Sequence, residues 1–305
     1  MLRRNVLLSA IATGALGTAV DTAGAASVAP SATDTRRGAK IRTRDGVELF
    51  HRDSGAGRPV LFVHSWGVTS AIWGYQEAFL ADHRLRCITF DRRGHGRSDA
   101  PSGGYDMDTL ADDVDSVIVG LDLHDVVLVG HSMGAGEILR YLARHGSSRV
   151  AKIALLAPTT PFVLKTADNA HGAPPEYFDK TRAAWAADYP KWLEDGKHAA
   201  FTPETSPDMM DWFKSVMLSV HIPTAIACNR AFVETDLRPD LAKVDRPVLI
   251  LQGDSDQSAP LEITGRLTAA GIKGAVLKVY PGAPHLLFLT HMAQVNRDLL
   301  EFIEA

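Results

Sequence analysis

The residues with the clearest chemical promise lie in Gly130-His131-Ser132-Met133-Gly134. The apolar run Val126-Val127-Leu128-Val129 leads into this Gly-x-Ser-x-Gly, and a helix-like segment, residues 135–145, follows at once. That order is the pattern of a nucleophile elbow, a sharp strand-to-helix turn that lifts a serine hydroxyl clear of a sheet. A Cβ at Gly130 or Gly134 would crowd such a turn. The helix N-terminus behind Ser132 supplies free N–H groups and a positive dipole end, both suited to a developing oxyanion. The pentapeptide alone is a weak signal, its plain alternative being a serine in an ordinary tight turn. Its specificity rests on partners elsewhere in the chain.

A serine hydroxyl is a poor nucleophile until a base takes its proton, and the base needs a carboxylate to fix its tautomer. The chain order expected on this kind of turn is serine, acid, histidine. His285, in Tyr280-Pro281-Gly282-Ala283-Pro284-His285, follows the last strand-like run and is the best of twelve histidines. His291 is the weaker candidate; His131 should point away from the serine hydroxyl, and His64 and His95 lie in turns that favour structural roles. The acid comes from Gly253-Asp254-Ser255-Asp256-Gln257, where spacing leaves Asp254 and Asp256 both open and predicts that the other makes an Asx-turn. An oxyanion hole would take one backbone N–H from Met133 and a second from the loop His64-Ser65-Trp66-Gly67, with Trp66 placed to donate. The segment Asp91-Arg92-Arg93-Gly94-His95-Gly96-Arg97-Ser98 invites a phosphate-loop reading, but it lacks Gly-Lys-Ser/Thr and opens no helix, so it reads as a structural turn.

These residues need a frame that brings loops together at one sheet edge. Two alternating runs across Asp45-Gly46 predict a hairpin, and Pro59-Val60-Leu61-Phe62-Val63 is a strand of the kind buried on both faces. Helix-like and strand-like segments then alternate: helices over 71–82, 107–121, 132–144, 261–270 and 292–303, and strands over 85–90, 126–130, 150–156, 247–252 and 275–280. The pattern predicts an α/β fold, a mostly parallel sheet covered on both faces and begun by an antiparallel hairpin. Residues 159–242 break the rhythm with short helices over 175–187, 191–195, 207–217 and 224–233, read as a helical cap inserted into a domain of residues 39–305. Phe162, Trp185, Trp192, Trp212, Phe213 and Met217 suggest a mostly apolar pocket under that cap, with some of them plain core.

Composition narrows the function. The 305 residues are 46% hydrophobic, enough for a sizeable core, and 32 basic against 36 acidic residues give no broad basic face for nucleic acid. Two cysteines, Cys87 and Cys228, make no disulfide framework, and no Cys/His spacing suggests a zinc site. Arg3-Arg4 precedes an apolar run of small residues from Val6 to Val20, and Ala23-Gly24-Ala25 offers a cleavage site. Residues 1–25 therefore read as an export signal and 26–38 as a flexible leader, giving a periplasmic or secreted protein with no stable membrane insertion after cleavage. Arg3-Arg4-Asn5-Val6-Leu7 also resembles a twin-arginine signal, with a general secretory signal as the alternative. Loss of Arg3, Arg4 and Asp21 would move the net charge from −4 to −5.

Together these residues resemble the α/β-hydrolase superfamily and, within it, the cofactor-free (non-haem) haloperoxidase and aryl-esterase (perhydrolase) group. The similarity runs over residues 41–303. It is most specific in Phe90-Asp91-Arg92-Arg93-Gly94-His95-Gly96-Arg97-Ser98-Asp99, Gly130-His131-Ser132-Met133-Gly134, the stretch Phe232 to Asp240, Gly253-Asp254-Ser255-Asp256-Gln257-Ser258-Ala259-Pro260 and Ala283-Pro284-His285. The group's Gly-Asp-x-Asp-Gln motif implies Asp256 as the catalytic acid and Asp254 as the turn residue. Ser132, His285, Trp66 and Met133 keep the roles given above. The resemblance implies hydrolysis of small aryl or alkyl carboxylic esters with a perhydrolase side activity, no cofactor and no metal. Where the group has His-Gly this chain has His64-Ser65, and Ser65 would be costly if that position needs a positive φ. Gly67-Val68 after Trp66 argues against strong peracid formation. Lactone or carbon–carbon bond hydrolysis on the same triad, and a catalytically silent ligand-binding protein, are the rival readings. A homo-oligomer is left open.

Overall fold

The computed structural model describes residues 39–305, so the readings placed on residues 1–38 lie outside it. A hairpin opens the described chain, β1 (Lys40–Arg42) and β2 (Glu48–Ser54), followed by β3 (Arg58–Val63), α1 (Gly74–Asp82), β4 (Leu85–Phe90), α2 (Met107–Gly120), β5 (Val126–His131), α3 (Met133–His145) and β6 (Val150–Leu156). The chain then leaves the sheet for α4 (Pro175–Gly196), α5 (Pro207–Leu218), α6 (Ile222–Glu234) and α7 (Arg238–Leu241). It returns through β7 (Val248–Gly253), α8 (Gly265–Gly271), β8 (Val276–Tyr280), α9 (Leu287–Thr290) and α10 (Met292–Glu304).

The eight strands form one sheet in the order β1-β2-β4-β3-β5-β6-β7-β8. The β1–β2 and β2–β4 pairs are antiparallel and the rest parallel. Alternate side chains on each central strand enter opposite cores, as the two-residue period of a strand requires. On β5, Val126 and Leu128 pack with α2 and α3, whereas Val127 and Val129 pack on the face covered by α1, α9 and α10. Ile250 and Leu249 divide β7 in the same way. Continuous apolar strands are thus explained by a sheet buried on both faces.

Three boundaries differ from the sequence reading. The hairpin turn spans Thr43 to Val47 instead of two residues, because the Thr43 N–H donates to the Val47 carbonyl (2.8 Å) and the Thr43 hydroxyl accepts the Val47 N–H (2.9 Å). The segment beginning at Leu261 turns helical only at Gly265, since the Thr264 hydroxyl is tied to the Ala259 and Pro260 carbonyls and Thr264 has non-helical angles. The two helices expected over 175–195 form one kinked helix. Asp188, two residues before Pro190, has non-helical angles and caps the second half by accepting the Lys191 N–H (3.0 Å). Cys87 and Cys228 are both buried and unpaired, and burial pushes each thiol up to about 12.

The end of β7 lies against the loop after β8. A Cβ on Gly253 would sit 1.8 Å from the Ala283 carbonyl oxygen, so only glycine lets these segments touch. Gly253→Ala should therefore cost about 1–3 kcal/mol and lower Tm by several degrees. Gly74→Ala is the control: it sits at the helical start of α1 with no atom within 4 Å of the added carbon and should be neutral or slightly stabilising. Equal melting of the two variants would show that the close approach is dispensable.

Candidate active site

Ser132 sits between β5 and α3 with φ +55° and ψ −117°. A left-handed serine is strained and persists only where its surroundings hold it. β6 holds it through the Ser132 N–H, which donates to the Leu156 carbonyl (2.9 Å). The first turn of α3 presses on the end of β3 so closely that a Cβ at Gly134 would lie 2.4 Å from the Val63 carbonyl oxygen. Gly130 is needed for the same reason: its Cβ would lie 2.9 Å from the Ala135 backbone nitrogen.

The structure brings Ser132, His285 and Asp256 together, all buried. Ser132 Oγ is 3.0 Å from His285 Nε2, and His285 Nδ1 is 2.7 Å from Asp256 Oδ2. The other oxygen, Oδ1, accepts the N–H groups of Ser258 (2.9 Å) and Ala259 (2.8 Å). A carboxylate can only accept, so Nδ1 carries the histidine proton and Nε2 is left bare toward the serine hydroxyl. Hydroxyl, base and orienting carboxylate are thereby arranged for proton removal from Ser132. The Asx-turn expected of Asp254 is made by Asp256 itself, whose Oδ1 takes the Ser258 N–H two residues on; Asp254 Oδ1 instead reaches across to accept the Gly282 N–H at 2.7 Å, bracing the loop that carries His285. His291 stands outside the site, with Nδ1 against the Thr290 hydroxyl.

His131 has a role that the sequence did not reveal. Its Nε2 donates to the His285 carbonyl (3.0 Å), and its ring lies 4.8 Å from the His285 ring. It braces the base from beneath, instead of pointing off into unrelated core. Burial, followed by the nearby His285 charge, holds its pKa well below the usual 6.5. A neutral His131 adds no second positive charge beside an imidazolium at His285. The position next to the serine was the only available signal, and it carries no information about a contact 154 residues away.

Met133 is the first residue of α3 and Trp66 follows Ser65 in the loop after β3. Among the described residues neither backbone N–H has a protein acceptor. Ser65 is not among the residues with positive φ, so the expected strain at that position does not arise; Gly67, at +67°, takes the left-handed turn instead. The Trp66 indole stacks on Trp185 (4.4 Å between centroids) and donates to the Ala225 carbonyl (2.6 Å), fastening the loop to α4 and α6.

A cavity of about 390 Å³ opens over Ser132 and His285. Trp185, Trp192, Phe213 and Met217 line it, as expected of apolar cap residues, and Trp66 joins them from the loop after β3. Phe162 and Trp212 do not: Phe162 packs under the Arg238 guanidinium and Trp212 edges onto Tyr75. Asn229 adds a polar wall group that the sequence did not suggest. Arg182 Nη1, a donor only, holds Asn229 Oδ1 at 2.9 Å, so the amide offers Nδ2 as its remaining polar group. The Asp91–Ser98 turn is structural. Asp91 accepts the N–H groups of Ser70 (2.8 Å) and Arg97 (2.9 Å), and Arg93 is buried between Asp113 and Asp45.

Residues 58–292 match the family model described as the alpha/beta hydrolase fold. The chain belongs to the α/β-hydrolase family. Within that family it is 39% identical over 268 residues to a non-heme chloroperoxidase of Kitasatospora aureofaciens, covering 86% of this chain and 98% of the relative. It is 36% identical over 277 residues to a bifunctional esterase/perhydrolase of Acinetobacter calcoaceticus, covering 87% and 99%. Among solved family structures, an esterase from Exiguobacterium antarcticum superposes with a TM-score of 0.85 at 30% identity, over 88% of this chain and all of that one. A bromoperoxidase from Bacillus anthracis gives 0.84 at 31% over the same shares.

The buried histidines set a pH dependence. Burial, with neighbouring positive charge as the second cause, holds His64 and His131 well below 6.5 and His95 at about 3. The unfolded chain protonates these rings near pH 6.5 while the folded chain does not, so their stabilisation is complete above that pH and is lost as pH falls. Glu137 opposes them: burial pushes it up to about 7, so its contribution grows as pH falls from 7 toward 4.5. Burial lowers His51 as well, so the depressed rings outnumber the raised Glu137 carboxyl, and unfolding takes up protons on balance below pH 6.5. Urea midpoints should fall steeply between pH 6.5 and 5. A flat profile would show that the rings are protonated in the folded protein.

Proposed function

We propose that this protein is a serine hydrolase that cleaves small aryl or alkyl carboxylic esters through an acyl-enzyme. The observation that carries this reading is the Ser132–His285–Asp256 hydrogen-bond relay, at 3.0 and 2.7 Å, at the base of an aromatic-lined cavity. His285 Nε2 takes the hydroxyl proton as Ser132 Oγ attacks the ester carbonyl carbon. The carbonyl electron pair moves onto its oxygen, which the Met133 and Trp66 N–H groups receive. Collapse of that intermediate breaks the ester C–O bond, and His285 returns the proton to the departing alcohol oxygen. Water repeats the sequence on the acyl-serine and releases the acid. Hydrogen peroxide in place of water releases a peracid, and a peracid oxidises halide to hypohalous acid as it falls back to the carboxylic acid. That route links ester cleavage to the halogenating and perhydrolytic names of the relatives with no metal required.

Short p-nitrophenyl esters should give a burst of nitrophenol followed by steady turnover. Ser132→Ala should abolish the burst and lower kcat by about a thousandfold or more, and Asp256→Asn by about a thousand- to ten-thousandfold, since an asparagine favours the wrong His285 tautomer. Turnover by folded Ser132→Ala equal to that of the parent would sink the mechanism.

We further propose that residues 1–25 direct export to the periplasm or medium. Arg3-Arg4, the apolar run behind them and Ala23-Gly24-Ala25 support this reading. N-terminal sequencing of the exported protein should begin near Ala26, and retention of uncleaved protein in the cytoplasm would overturn it. Replacing both arginines by lysine separates the routes: a twin-arginine route stops, whereas a general secretory signal, which needs only positive charge, continues.

A further inference from the structure

A backbone N–H can be aimed only by aiming its peptide. The Ser65–Trp66 peptide is trans, so the Trp66 N–H points opposite to the Ser65 carbonyl. That carbonyl is gripped from two sides: His64 Nδ1 lies 2.8 Å from it and Arg92 Nη1 3.1 Å. The donors are assigned by the other end of the imidazole. The Arg92 backbone N–H donates to His64 Nε2 (2.9 Å), which leaves the ring proton on Nδ1, facing the Ser65 oxygen. The 3.2 Å approach of Arg92 Nη1 to His64 Nδ1 then joins two donors and is no hydrogen bond. Arg92 Nη2 donates to the His64 carbonyl (2.6 Å) and pairs with Glu137 of α3. His64, Arg92 and Glu137 are almost completely buried.

We propose that Arg92 and His64 are positioning residues for the oxyanion hole: by holding the Ser65 carbonyl they turn the Trp66 N–H toward the carbonyl oxygen of the substrate. The proposal rests on the esterase reading above. Glu137 extends the same device, because it sits on the helix whose first N–H, that of Met133, is the other oxyanion donor. The Arg92–Glu137 pair therefore ties the loop bearing one donor to the helix bearing the second. Such a pair is a poor means of stabilising the fold. Arg92 Nε and Glu137 Oε2 are both buried without partners, and buried pairs left partly unsatisfied are often no better than apolar residues of equal size. From the other side, Trp66 is held by Trp185 and the Ala225 carbonyl, so the donor peptide is fixed at both ends.

The test compares the full-length mature protein with Arg92→Met/Glu137→Leu, which removes both charges together, and with Arg92→Lys, which keeps a charge for Glu137 but cannot bridge both carbonyls. Ser132-dependent hydrolysis by the parent is established first, and its absence would defeat the esterase reading whatever the variants do. Given that activity, the double variant should melt cooperatively and keep KM within about twofold, while kcat falls about ten- to a hundredfold. Binding of a trifluoromethyl ketone, whose adduct with Ser132 carries an oxyanion, should weaken in parallel with kcat, and inhibition by the product alcohol should not change. Arg92→Lys should show a smaller loss of the same kind, and it carries the test if the double variant does not fold. Parent-like kcat in a folded variant overturns the proposal. So does a fall in kcat with undiminished ketone affinity, because that loss would not lie in the oxyanion hole.

Discussion

The 2.7 Å contact between His285 Nδ1 and Asp256 Oδ2 can form only if the loops after β7 and β8 touch, and much of the C-terminal half serves that approach. Gly253 gives up its side chain to the Ala283 carbonyl. Ser255 donates its N–H to that same carbonyl (3.2 Å), and Asp254 accepts the Gly282 N–H. His131 reaches from the end of β5 to hold the His285 main chain. Each of these bonds uses backbone groups of the loops themselves. The base is thus positioned by the loop path as well as by its side-chain partner, which is how a surface loop is made rigid enough for catalysis.

Charge is managed by keeping most of it out of the site. His64, His95 and His131 are buried and held neutral, so the imidazole ring beside His285 adds no positive charge. Arg92 and Arg93 are buried too, but each is committed to a carboxylate. In the proposed mechanism the donors to the reacting carbonyl are the Met133 and Trp66 backbone N–H groups. Such dipoles need no reorganisation when charge develops on the oxygen, which is where preorganised sites gain most.

Sheet and cap divide the work. The strand ends and their loops carry Ser132, His285, Asp256 and Trp66, while α4, α5 and α6 contribute about half of the cavity wall. Trp66 belongs to both. It lines the cavity that holds Ser132, and its ring is part of an aromatic cluster with Trp185, Tyr189 and Trp192. Cavity shape and the path of the loop after β3 are therefore mechanically connected through one residue, and a change in cap packing would reach that loop through it.

The sequence by itself determined the order of strands and helices, the position of the cap, and Ser132 and His285 as partners. Those features are local: buried strands are continuous apolar runs, a strained elbow needs small neighbours, and a catalytic loop follows a strand. Turn lengths at Thr43–Val47 and the late start of α8 were not legible, because single hydroxyls on Thr43 and Thr264 decide them through contacts that composition does not encode. Spacing also left Asp254 and Asp256 equivalent; family resemblance separated them, and the fold gave the reason, in that one faces His285 and the other Gly282. Ser65 looked like a conformational problem only because its φ could not be read from its neighbours. The tertiary structure alone decided the support around the site: His131 under His285, Arg182 on Asn229, and Arg92 with His64 on the Ser65 carbonyl. Most of these contacts join residues far apart in the chain. Their geometry exists only once the sheet has closed its register and both cores are packed.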